Sequence, residues 1–205
     1  MYRPMLFLFL LFTTGLVQAA VIIDDRFNDP RSGWPDVSAS SSRDVGFAVY
    51  ANGKYQMTPV QDRAFGVIRA PRQASSGNVS VASRFFMYAG LGAGGAGVVC
   101  RMQDLDNFYA FIVVGSGEWR IARIEKGKVN VLASGSADPQ VMPGAVDAVM
   151  EARCDGEQLS LSLAGKRVGE ARDAVFASGS AGLFVAGEQA AGTSASFEDF
   201  RLSAL

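Results

Sequence analysis

Histidine is absent from all 205 residues. That absence excludes Ser-His-Asp and Cys-His nucleophilic sites and removes the usual nitrogen ligand of zinc. Cysteine is scarce as well, and two residues cannot by themselves complete a zinc site. Charge of one sign is missing: 19 basic residues face 20 acidic ones, with no block or stripe of either. A nucleic-acid footprint or a polybasic membrane patch would need such a stripe. No convincing amphipathic helix is visible. After the first residues, no apolar run approaches the ~20 residues that a membrane-crossing helix requires.

What is present begins with an export signal. Arg3 supplies a positive start, and Met5 to Phe12 is an unbroken apolar run. Val17-Gln18-Ala19 then places small residues where a signal peptidase cuts. The pattern predicts a leader over residues 1–19, removed after Ala19. A single domain then spans residues 20–205, in the periplasm or outside the cell. In such an oxidising compartment Cys100 and Cys154 are expected to pair. Closing a loop of that length is worth roughly 4 kcal/mol in the chain-entropy picture.

The 23 glycines punctuate many short strand signals. Val45 to Tyr50 and Lys54 to Met57 flank Asn52-Gly53, a hairpin turn signal because both central residues tolerate positive φ. Asn107 to Val114, Glu118 to Ile124 and Lys128 to Leu132 read as a meander turned at Gly115-Ser116-Gly117 and Glu125-Lys126-Gly127. Val146 to Cys154 and Gln158 to Leu163 form a hairpin around Asp155-Gly156-Glu157. Leu159, Leu161 and Leu163 alternate with Gln158, Ser160 and Ser162, the period of a half-buried strand. The same alternation sets Met150, Ala152 and Cys154 against Val149, Glu151 and Arg153, and Val98, Cys100 and Met102 against Val99, Arg101 and Gln103. Both cysteines fall on the less polar side of their strands. About a dozen strands without helices predict an all-β, two-sheet antiparallel sandwich.

Motifs that carry chemistry are few. Gly92, Gly94 and Gly97 match a dinucleotide fingerprint, but a strand rather than a helix comes after them, so the run reads as a loop between strands. Paired carboxylates could still serve glycoside hydrolysis. Asp24 and Asp25, Asp104 and Asp106, and Glu198 and Asp199 read first as solvated turn or strand-end charges, and no acidic run along one strand face sets two carboxylates into one cleft. No catalytic residue is assigned. Calcium is the metal that the composition leaves open, through Asp24, Asp25 and Asp199 if the terminal strands pair; no other cofactor is implied. Aromatics with a polar handle suit sugar faces, and Trp34, Tyr109 and Trp119 stand out.

Several phrases carry a family resemblance. Asp25-Arg26-Phe27 with Ser32-Gly33-Trp34, Gly97 to Arg101, Asp106 to Phe111, Cys154 to Leu159 with Ala164-Gly165-Lys166, and Phe197 to Phe200 are the matching stretches. Together they resemble the concanavalin A-like lectin/glucanase superfamily, in its laminin-G-like and keto-disaccharide-hydrolase-like branches. The likeness runs from about Asp24 to Leu202. It implies a jelly-roll sandwich of two curved sheets. The acidic E-x-D-x-x-E strand motif of the glucanase branch is missing, and Ala164 stands where the family's turn carries Asn.

The expectation is therefore a secreted, non-catalytic sandwich that binds a polysaccharide or another cell-envelope component. Arg101, Tyr109 and Trp119 are its candidate ligand residues, the rings to stack and the arginine to donate hydrogen bonds. Two alternatives remain open. One is a glycoside hydrolase-like enzyme using two carboxylates. The other is an envelope protein–protein interaction domain.

Overall fold

The computed structural model describes residues 19–37, 46–59, 65–88, 94–136, 145–187 and 193–205. Residues 1–18 of the expected leader, the polar loop Ser38 to Ser42 and Gly92 of the glycine run lie outside the described residues. Among the described residues there are fifteen strands and no helix. In chain order they are β1 (Val21–Asp25), β2 (Phe47–Ala51), β3 (Lys54–Thr58), β4 (Phe65–Arg69), β5 (Val79–Tyr88), β6 (Gly95–Asp104), β7 (Asn107–Val114) and β8 (Glu118–Glu125). After these come β9 (Lys128–Ser136), β10 (Ala145–Asp155), β11 (Gln158–Leu163), β12 (Lys166–Arg172), β13 (Ser180–Ala186), β14 (Ser194–Phe197) and β15 (Phe200–Ala204).

These strands form two antiparallel sheets, as the sequence pattern predicts. The nine-stranded sheet runs β12-β11-β10-β5-β14-β3-β2, with β15 also on β5 and β1 on β15. The six-stranded sheet runs β4-β13-β6-β7-β8-β9. The predicted meander is β7, β8 and β9 at one side of this sheet. The closing segment is two strands rather than one. Glu198 and Asp199 interrupt it, and the backbone there bonds to β5 through Glu198 N–H to Arg84 C=O and Arg84 N–H to Asp199 Oδ1 (2.6 Å).

Alternation decides the core. On β5, Val79, Val81, Phe85 and Met87 point inward; on β10, Val146, Met150, Ala152 and Cys154 do. Facing them from the six-stranded sheet are Val98, Cys100, Tyr109, Phe111, Val113, Trp119, Ile121, Leu183 and Val185. Cys100 on β6 and Cys154 on β10 are joined by a disulfide that staples one sheet to the other, 54 residues apart in sequence. The Asn52-Gly53 turn forms as expected, with φ of 52° and 70°.

One predicted alternation is overturned. Met102 does not continue the inward row of Val98 and Cys100 but packs with Val99 on the opposite face. The cause is a bulge: against β13 the β6 register shifts by one residue between Val99, opposite Gly182, and Met102, opposite Ser180, and Arg101 has φ of 51°. An extra residue in one strand reverses the parity of the residues beyond it.

Candidate functional site

The residues nominated from sequence do not meet at a surface. Arg101 is 2% exposed, and its guanidinium donates to Gly77 C=O (2.9 Å), Phe176 C=O (3.1 Å) and Asn78 Oδ1 (3.2 Å). Burial lowers its pKa. Tyr109 is fully buried; its hydroxyl donates to Asp173 Oδ1 at 2.6 Å and accepts the Phe176 N–H at 3.0 Å. Burial first, then the bond to Asp173, pushes the phenol up to about 12. Trp119 is 7% exposed and lies on the inner face against Gly135 of β9 and Gly169 of β12. Trp34 is buried too, donating Nε1–H to Asp25 Oδ2 (3.0 Å) and meeting Phe200 edge-on. All four side chains are engaged inside the sandwich, tying its loops and edges down.

The terminal strands do pair, β1 with β15, as the calcium expectation required. The carboxylates are nevertheless occupied. Asp25 accepts from the Phe27 N–H and from Trp34, Asp199 accepts from the Arg84 N–H, and Asp24 pairs with Arg201. Among the described residues no group of three or more Asp, Glu, Cys or His converges.

A different surface has the character of a site. It is the outer face of the nine-stranded sheet, centred on β5. Ser80, Ala82, Arg84, Phe86 and Tyr88 alternate with the buried residues of that strand and so point outward. Phe86 is 45% exposed and Tyr88 53%, although β5 is an interior strand with partners on both sides. Two residues apart on one strand, their Cα atoms are about 7 Å apart. The pairing register sets polar groups beside them. Tyr88 has Ser194 of β14 on one side, and Phe86 has Ser196 of β14 and Asp147 of β10. Val149, half exposed, sits diagonally from Phe86, and Gln56 lies beyond Ser196.

Next to the rings runs a row of charges crossing the strands. Lys54 Nζ contacts Glu198 (2.7 Å), Glu198 contacts Arg84 Nε (3.3 Å), and Arg84 Nη2 contacts Asp147 (3.0 Å). The bond to Asp147 is the main reason the Arg84 pKa is raised. Arg84 therefore neutralises two carboxylates at once. The result is a flat aromatic strip bordered by hydroxyls, an amide and fixed charge pairs. This arrangement can stack on an apolar ring face while exchanging hydrogen bonds with groups around its edge. Sequence reasoning missed it, although a signal existed: in Arg84-Phe85-Phe86-Met87-Tyr88, large apolar residues occupy both parities of one strand.

No protein-family model and no curated protein matches the sequence. Solved structures do match. The carbohydrate binding module CBM66 from Bacillus subtilis is 19% identical, with a TM-score of 0.58, over 85% of this chain and 91% of that one. A protein of unknown function with a galectin-like fold, also from Bacillus subtilis, is 15% identical with a TM-score of 0.63, over 90% and 96%. The GH43 protein BlXynB from Bacillus licheniformis is 16% identical with a TM-score of 0.59; the match takes in 89% of this chain but only 39% of that longer one. The fold is the concanavalin A-like jelly-roll sandwich, as the resemblance in the sequence implied. At these identities the likeness is one of fold.

Proposed function

We propose that this protein is an exported carbohydrate-binding sandwich whose site is the outer face of the nine-stranded sheet, with Phe86 and Tyr88 as the stacking platform. The observation that carries the reading is the exposure of two neighbouring aromatic rings on an interior strand of a largely polar sheet face. Large rings gain most from burial, and a strand interior to a sheet offers no structural reason to leave them in water. Ser194, Ser196, Gln56, Asp147 and Arg84 supply donors and acceptors around the rings for sugar hydroxyls. The solved structures that share the fold include one named as a carbohydrate binding module. Export is supported by the leader pattern and by the Cys100–Cys154 disulfide, a bond that persists in oxidising compartments.

Binding rather than hydrolysis is the reading favoured because the acidic E-x-D-x-x-E strand motif of the glucanase branch is missing from the sequence.

The test is a glycan array and then titration calorimetry on the best ligand. Phe86→Ala and Tyr88→Ala should each weaken binding by tenfold or more, about 1.4 kcal/mol per tenfold. Unchanged affinity in both variants, with the fold intact by circular dichroism, removes this face as the site.

A further inference from the structure

The charges on the outer face of the nine-stranded sheet are matched in pairs. On β3, β5, β10 and β15 the outward cations are Lys54, Arg84, Arg153 and Arg201. Lys54 lies 2.7 Å from Glu198, Arg84 3.0 Å from Asp147 and 3.3 Å from Glu198, Arg153 3.8 Å from Glu151, and Arg201 3.4 Å from Asp24. Arg84 is held by the most bonds. Its Nε and Nη2 point at the two oxygens of Asp147, at 3.4 and 3.0 Å, a forked pairing that fixes the guanidinium plane. Asp147 belongs to β10 and Glu198 follows β14, so Arg84 is gripped from both sides of β5.

Arg84 stands where a ligand on the rings would meet it. It lies two residues before Phe86 on the same outward parity of β5, with Cα atoms about 7 Å apart. A free guanidinium at that distance would pair with a sugar carboxylate or sulfate. Here its charge is already shared between two carboxylates. Directly across the strand from Phe86 is Asp147 itself, with a side chain 58% exposed. The other groups set beside the rings, Ser194, Ser196 and Gln56, are neutral. Hydroxyls of an uncharged sugar can donate to Asp147 and exchange bonds with the serines and the amide. An anionic group brought to the same place meets a like charge and no cation to receive it. To gain Arg84 it must displace Asp147, which the sheet keeps tethered beside the guanidinium as a competing intramolecular partner.

We infer that Asp147 and Glu198 lock Arg84 so that the face selects uncharged polysaccharide over chains bearing uronate or sulfate, an inference that rests on the reading of Phe86 and Tyr88 as the binding platform. Asp147 and Glu198 are then specificity residues. They leave Arg84 able to hydrogen-bond hydroxyls and deny it to anions. The discrimination comes from a repulsive group beside the rings as much as from any attractive contact.

The probe is a glycan array on which neutral hexasaccharides of glucose, mannose, galactose, xylose and fructose stand beside counterparts bearing uronate or sulfate. Each neutral chain that binds should do so at least tenfold more tightly than its charged counterpart. Its affinity should change less than twofold between about 0.05 and 0.5 M salt. In Asp147→Asn/Glu198→Gln, which frees Arg84 and Lys54 and leaves the rings in place, the ratio of charged to neutral affinity should rise tenfold or more. The affinity gained should fall as salt is added. A charged chain bound by the parent as tightly as its neutral counterpart overturns the inference and leaves the platform standing. An unchanged ratio in the double variant, folded by circular dichroism, overturns it as well. A blank array is a separate failure: it removes the carbohydrate reading itself, and the inference falls with it.

Discussion

Tyr109 of β7 and Asp173, the residue just past β12, are joined at 2.6 Å, and Arg123 of β8 closes the same carboxylate from its other oxygen. The Asp173 side chain is only 8% exposed. Burial alone would raise its pKa, but the bonds from Tyr109 and from the Val175 N–H, with the charge of Arg123, hold it below the ordinary value. Removing one partner of a buried pair strands the other, at about 3–5 kcal/mol. Asp173→Ala should therefore cost about 3 kcal/mol in denaturant unfolding. Tyr109→Phe should cost less, about 1–2 kcal/mol, because it deletes the two hydrogen bonds of one neutral hydroxyl, to Asp173 and from the Phe176 N–H, and leaves the ion pair. Equal, near-zero effects of both would show that the network does not hold the segment after β12.

The same network fixes a pH dependence. Asp173 has a folded pKa below the unfolded 3.8. Its stabilisation is complete above that unfolded value and is lost as pH falls through the lower folded one. Tyr109 titrates in the opposite sense: its folded pKa of about 12 lies above the unfolded 10, so its share is complete below pH 10 and lost as pH rises toward 12. The melting-temperature gap between parent and Asp173→Asn should be constant above about pH 5 and should narrow as pH falls below 3.8. A gap that does not narrow there contradicts the assignment.

Much of the fold was legible because strand parity is a strong signal where one face is wet. Leu159 and Leu161 face inward as alternation required, and the cysteines, on the less polar side of their strands, meet across the sheets. The site was harder to see. Arg101, Tyr109 and Trp119 were chosen for chemistry that suits a sugar, yet a buried ring and an exposed ring of one residue type look alike in sequence. The bulge at Arg101 changed which face its neighbours occupy, and no residue type announces a bulge. Phe86 and Tyr88 became distinguishable only when register placed them on the outer side of an interior strand.

Trp119 explains why Gly169 is a glycine. A Cβ there would collide with Cη2 and Cζ3 of the indole, and one on Gly135 would come within 2.7 Å of its Cζ2. The ring thus fills the gap between β9 and β12, where the two sheets approach at one edge. Gly169→Ala should destabilise by roughly 1–3 kcal/mol through overpacking. Adding Trp119→Phe, with a smaller ring, should recover part of that loss in the double variant. Strict additivity of the two changes would show that they do not meet.

Ala164 occupies a turn position with φ of 48°, and Gly165 after it has φ of 77°. The left-handed region costs an ordinary L-residue roughly 1–2 kcal/mol, and Asn is among the side chains that tolerate it. Ala164→Asn should raise the melting temperature by a few degrees. A fall would mean that the β11–β12 turn is constrained by something other than its own backbone.

The two sets of candidate residues separate by readout. Arg101 feeds three acceptors from inside the fold, so Arg101→Met should lower stability by taking the guanidinium from the Gly77 and Phe176 carbonyls and leaving Asn78 Oδ1 with the Gly156 N–H alone. Its effect on glycan affinity, measured where the variant is still folded, should be negligible, since the side chain does not reach the outer face. Tyr88 is the mirror case. Half exposed and at the end of β5, Tyr88→Ala should leave unfolding stability within about 0.5 kcal/mol of the parent's. It should nonetheless abolish most of the binding. Arg101→Met losing affinity while Tyr88→Ala keeps it would reverse the assignment of the two faces and return the site to the loops around Arg101.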